Sequence, residues 1–117
     1  MGLTILLVDD DQILTEKTKN SLNWDSLGIG MVFTANNIHE AKGILKVYKV
    51  DILLCDVDMP MGSGLELVEW IREEGMEIKC IFLSSYANFT YAQKALRLGS
   101  VNYLLKPISN KDLEYAF

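Results

Sequence analysis

Carboxylates dominate the chemistry open to this sequence. Asp9, Asp10 and Asp11 follow directly on the apolar run Ile5–Val8, and Asp56 follows directly on the apolar run Ile52–Cys55, with Asp58 two residues later. The run Cys80–Leu83 leads into Ser84 and Ser85, and the run Tyr103–Leu105 leads into Lys106 and Pro107. An acid that ends an apolar strand needs a partner or a use, because a lone charge is costly to take out of water. If Asp9, Asp10 and Asp56 share one edge, their repulsion creates a place for a hard divalent cation. Mg²⁺ suits it, since that ion takes a few carboxylate oxygens, keeps waters and accepts phosphate oxygens. A carboxylate beside such an ion can attack a phosphoryl group, because transfer through a loose transition state needs mainly positioning and charge neutralisation. Lys106 can add a second positive charge, and the Ser84 hydroxyl a hydrogen bond to a phosphoryl oxygen. Gly62 and Gly64 let the loop after Asp56 approach an anion closely, next to the start of a helix.

These side chains can meet only if the intervening elements bring them to one edge. Five short apolar runs, Ile5–Val8, Met31–Ala35, Ile52–Cys55, Cys80–Leu83 and Tyr103–Leu105, are each followed by a stretch of helical periodicity. Continuous rather than alternating apolar character suits parallel strands covered on both faces. Ile38, Ala41, Leu45 and Tyr48 make one helical stripe; Leu65, Val68 and Ile71 make a second, widened by Leu67 and Trp70. Phe89, Ala92, Leu96 and Gly99 make a third. The first helix, after Asp11, is less distinct, with Ile13, Leu14, Thr18 and Leu22 as its buried candidates. Strand–helix alternation without a Gly-x-Gly-x-x-Gly fingerprint predicts a flavodoxin-like (βα)5 three-layer α/β sandwich: a parallel five-stranded sheet in the order 2-1-3-4-5. In such sheets ligands bind beyond the carboxyl ends of the strands, and strands one and three are neighbours.

Composition narrows the function classes. The 117 residues point to a single domain over 1–117. Eleven basic against sixteen acidic residues, net charge -5 and no Lys/Arg block, argue against this domain gripping nucleic acid or an anionic membrane by itself. No apolar run approaches a membrane span and no signal peptide is evident, so a cytoplasmic location is expected. Cys55 and Cys80 read as core thiols, His39 as solvated, and Trp24 and Trp70 as packing; no Cys/His set has zinc-ligand spacing. Asp11 reads as a helix N-cap or a first-turn acid. The last helical pattern, from Asn110, stops after about two turns, so an output domain is expected to follow in the parent protein.

Taken together, Ile5–Asp11 (ILLVDDD), Asp51–Leu67 (DILLCDVDMPMGSGLEL), Ile81–Ser85 (IFLSS) and Tyr103–Ile108 (YLLKPI) resemble, in order and spacing, a response-regulator receiver domain. That resemblance implies a phosphoryl switch. Asp56 would accept a phosphoryl group from the phosphohistidine of a sensor histidine kinase. Asp10 and Asp56 would bind Mg²⁺ directly, with Asp58 adding its backbone carbonyl and Asp9 acting through water. Lys106 would pair with the phosphoryl group, its bond to Pro107 being cis, while Ser84 would be the switch hydroxyl and Tyr103 the aromatic that reorients with it. The output face, and a homodimer contact, would lie on helix four, strand five and helix five.

Asn23–Gly28 (NWDSLG) and Ser84–Lys106 (SSYANFTYAQKALRLGSVNYLLK) are further similar to receivers fused to AraC-type DNA-binding domains. DNA would then be reached through the output domain, not through this one. A second function class also fits part of the pattern. Asp56-Val57-Asp58 resembles the nucleophile motif of haloacid-dehalogenase-like phosphatases, with Asp58 as general acid. Those hydrolases place further carboxylates after their lysine, whereas here the acids precede Asp56. A degenerate receiver that works only through protein contacts is disfavoured, because every key residue type is present.

Overall fold

The computed structural model describes residues 2–56, 64–84, 101–105 and 111, with backbone alone for Ser84 and for 101–105. Its strands are β1 (Leu3–Val8), β2 (Ile29–Ala35), β3 (Ile52–Asp56), β4 (Lys79–Ser84) and β5 (Val101–Leu105). The helices are α1 (Gln12–Ser21), α2 (Ile38–Val47) and α3 (Gly64–Glu73), with a short 3-10 turn at Asp25–Leu27. All strand pairings are parallel, and the order across the sheet is β2-β1-β3-β4-β5. The expected α/β flavodoxin-like fold is therefore present. The helical patterns expected after Ser85 and after Asn110 lie outside the described residues, Lys111 apart.

Side chains alternate across the sheet as the period of two requires. Leu6, Val8, Leu53, Cys55, Cys80 and Phe82 face one way, and pack with Ile38, Ala41 and Leu45 of α2 and Leu65, Leu67, Val68 and Ile71 of α3. Ile5, Leu7, Ile52, Leu54, Ile81 and Leu83 face the other way, where Leu22, Trp24 and Leu27 pack against them. Burial on both faces explains why β1, β3 and β4 read as unbroken apolar runs.

Three expectations about burial need correction. The second strand begins at Ile29, earlier than Met31, and is half exposed rather than covered, with Met31 52% accessible. It is an edge strand, with β1 as its one neighbour, so its apolar residues pack on that side only. In α1, Ile13 is 77% exposed, Leu14, Thr18 and Leu22 are half-buried, and Thr15 is the buried residue. Tyr48, placed in the α2 stripe, lies just past that helix and is half exposed, its ring 4.6 Å from that of Phe33. Four further expectations are met: Cys55 and Cys80 are buried thiols, His39 is exposed and Trp70 packs against the core beneath the Lys42 ammonium.

Local hydrogen bonds set the element ends. Asp11 caps α1, its Oδ1 accepting from the Leu14 amide at 3.0 Å, and Asn37 caps α2 by accepting from the Glu40 amide at 2.9 Å. In the Asn23–Gly28 turn, Trp24 Nε1 donates to the Lys19 carbonyl at the end of α1 (2.8 Å), and Gly28 turns the chain at φ 79°, a region that disfavours side chains. The Gly28 carbonyl then accepts from Leu3 at 2.8 Å, tying the turn to β1. At the same edge Asp51 bridges three segments: its Oδ2 accepts from the Thr4 amide (2.8 Å), its own amide donates to the Thr4 carbonyl (2.9 Å), and its carbonyl accepts from Lys79 (3.0 Å).

Candidate phosphoacceptor site

Strand register brings the acids together. β1 and β3 are neighbours, with Val8 opposite Cys55, so Asp9 and Asp56 are the next pair along, at the carboxyl end of the sheet. Alternation places both on the side of Leu7 and Leu54. Asp9 is 7% exposed and Asp56 6%, whereas Asp10 is open to solvent. Carboxylate oxygens of Asp9, Asp10 and Asp56 lie within 4.8 Å of one another. The structure thus joins three residues that stand dozens of positions apart in the chain.

Such a cluster could hold a hard cation. Two like charges ~4 Å apart repel by about 4 kcal/mol at an effective dielectric near 20, a repulsion that a bound cation would offset. The donor set is all hard oxygen, two buried and one exposed, which fits Mg²⁺ and leaves an open side for waters or phosphate. Soft or borderline metals that favour thiolate or imidazole find none here: the thiols of Cys55 and Cys80 are buried in the core and His39 is exposed on α2. Burial pushes the Cys80 thiol up to about 11 despite the pull of Arg72, so it stays neutral and unreactive.

The backbone around the cluster is tightly held. Asp9 donates its amide to the Ala35 carbonyl of β2 (3.1 Å), and its Oδ1 accepts from the Asp11 amide (3.0 Å). On the other side, α3 begins against β3 itself. A Cβ on Gly64 would sit 2.7 Å from the Asp56 carbonyl oxygen and 2.9 Å from Cys55 Sγ, so a larger residue must displace helix or strand. Gly64 was expected to permit approach of an anion; in the structure its bare Cα permits approach of the helix to Asp56. The Cys55 thiol donates to the same carbonyl at 3.4 Å.

Ser84 ends β4, one residue past Leu83, the register partner of Asp56, and Tyr103 lies in β5 opposite Phe82. Their side chains lie outside the described residues, as do Asp58, Gly62, Lys106 and Pro107. Sequence reasoning overlooked Thr15 and Asp51. The only signal for either was polarity at a position where the neighbouring pattern asks for an apolar residue or a turn.

A parallel sheet of this order with buried acids at the carboxyl ends of β1 and β3 defines a class, and the family comparison agrees. The chain belongs to the response regulator receiver domain family, whose model matches residues 5–117. It is 34% identical, over 93% of its length, to the transcriptional regulatory protein YesN of Bacillus subtilis, of which it covers 30%. Among solved structures it superposes on the receiver domain of AraT, a response regulator from Geobacillus stearothermophilus, with a TM-score of 0.85 at 33% identity, covering 98% of this chain and 89% of that one. It also superposes on a two-component transcriptional regulator AraC from Clostridium phytofermentans, with a TM-score of 0.86 at 30% identity, covering 97% and 88%. The chain spans about a third of the length of the curated relative YesN. Receiver domains are signalling switches rather than enzymes of substrate turnover, and response regulators partner with sensor histidine kinases. The haloacid-dehalogenase-like alternative finds no support in the family match.

Proposed function

We propose that this domain takes a phosphoryl group from a sensor histidine kinase onto Asp56 and passes the change on to an output domain controlling transcription. The observation that carries the reading is the Asp9/Asp10/Asp56 cluster at the carboxyl edge of the sheet. An Asp56 oxygen attacks phosphorus as the bond from phosphorus to the histidine nitrogen breaks. The nitrogen leaves with the electron pair and the carboxylate becomes an acyl phosphate. Mg²⁺, when bound, neutralises the carboxylates and the phosphoryl oxygens. Asp10 and Asp56 would hold it directly, Asp58 would add its backbone carbonyl, and Asp9 would act through water. Lys106 pairs with the phosphoryl group, Ser84 turns to bond one of its oxygens, and Tyr103 follows. Attack by water on the acyl phosphate returns the domain to its resting state.

Two populations of one fold differing by a few kcal/mol are enough for such a switch. The readout face would comprise β5 and the helical segments expected after Ser85 and after Asn110, and would also serve a homodimer. The output domain is of the AraC DNA-binding type, a reading supported by the two-component regulator named above and by the Asn23–Gly28 turn. Its DNA contacts belong to that domain, since this one carries net charge -5. A cytoplasmic location fits; among the described residues no helix is long and apolar enough to cross a membrane.

Incubation with acetyl phosphate and Mg²⁺ tests switch against hydrolase. The expected result is one phosphoryl group per chain, mapped to Asp56 by mass spectrometry, without turnover of para-nitrophenyl phosphate. Sustained turnover with no labelled chain would overturn the proposal.

A further inference from the structure

Helix α1 carries an oddity beside the acids. Among the described residues its buried position is a threonine, Thr15, 4% exposed, while the larger apolar Ile13 faces solvent. The Thr15 hydroxyl donates to the Asp11 carbonyl at 2.9 Å, which also accepts from the Thr15 amide at 3.0 Å. Back-bonding of this kind slightly destabilises a helix, so helix stability does not account for it. A buried hydroxyl is tolerated because it is bonded; valine would fill the same space without needing a partner.

What the hydroxyl gains becomes clear one step further along the chain. The main chain of Asp11 is held at both ends: its carbonyl by Thr15, and its amide by Asp9 Oδ1 at 3.0 Å. Its side chain is held as well, by the Leu14 amide. Asp10 is the exposed residue between Asp9 and this clamped Asp11. We propose that Thr15 is a positioning residue for the cation site: through Asp11 it fixes the Asp9 carboxylate and aims Asp10 toward Asp56. The inference rests on the phosphoacceptor reading above and adds to it a residue that touches neither cation nor phosphoryl group. Helix α1 thereby acts as the support that keeps three repelling carboxylates converged before a cation arrives.

The test is the Mg²⁺ dependence of Asp56 labelling by acetyl phosphate in wild type, Thr15→Val and Thr15→Ser, with melting temperatures measured alongside. Loss of one supporting hydrogen bond should raise the half-saturating Mg²⁺ concentration in Thr15→Val about three- to tenfold. The labelling rate at saturating Mg²⁺ should stay near wild type, and Thr15→Ser should restore the wild-type midpoint. Thr15→Ala serves the same comparison if the valine variant does not fold. A Mg²⁺ midpoint unchanged in Thr15→Val or its alanine substitute, whatever the melting temperature does, would overturn the positioning role while leaving the phosphoacceptor reading intact. Wild-type labelling indifferent to Mg²⁺ would remove both.

Discussion

Asp56→Asn should form no acyl phosphate, whether the donor is acetyl phosphate or a cognate kinase. The amide keeps the shape of the carboxylate and one oxygen, so the end of β3 and its pairing to Leu83 are retained. In the proposed function it removes the negative oxygen that would attack phosphorus and a charge that would help to hold the cation. It also removes one of the three carboxylates whose oxygens lie within 4.8 Å of one another. The check is phosphate incorporation by mass spectrometry, with circular dichroism to confirm the fold. Labelling that persists in the variant would assign the acceptor elsewhere.

The second large effect lies in the core. Phe82 heads the fully buried side chains and packs in the cluster that joins β1, β3 and β4 to α2 and α3. Phe82→Ala should cost about 3–5 kcal/mol, combining the lost transfer free energy with the cavity left behind. Against a domain stability of roughly 5–15 kcal/mol, that approaches the whole margin. Urea denaturation should show a midpoint far below wild type with a similar slope. The same strand ends at Ser84 and borders Asp56, so labelling at elevated temperature should fall with the folded fraction. A loss under ~1 kcal/mol would mean that the surroundings collapse to fill the space.

Legibility followed the physics of each element. Strands covered on both faces, such as β3, announced themselves as unbroken apolar runs, and α3 as a clear stripe from Leu65 to Ile71. The edge strand β2 was placed but its exposure was not, because composition alone does not say which strand has one neighbour. Helix α1 was misread at Ile13 because its apolar residues do not form a stripe; the buried position is filled by a threonine whose partner is the backbone. Asp51 bonds Thr4 across 47 residues, a contact that exists only once the register of β1 and β3 is known. The acid cluster was legible in part from residue type at strand ends. Its closure needed the strand order, which neither periodicity nor spacing supplies without a fold rule or a family likeness.

Three carboxylates are proposed to share one divalent cation. Calorimetric titration with Mg²⁺ of wild type, Asp10→Ala and Asp56→Ala measures that directly. One ion should bind per wild-type chain, raising its melting temperature by mass action on the folded state, and each substitution should weaken binding by an order of magnitude or more, about 1.4 kcal/mol for each factor of ten. Equal Mg²⁺ affinity in all three proteins, or none in wild type at millimolar concentration, would contradict it.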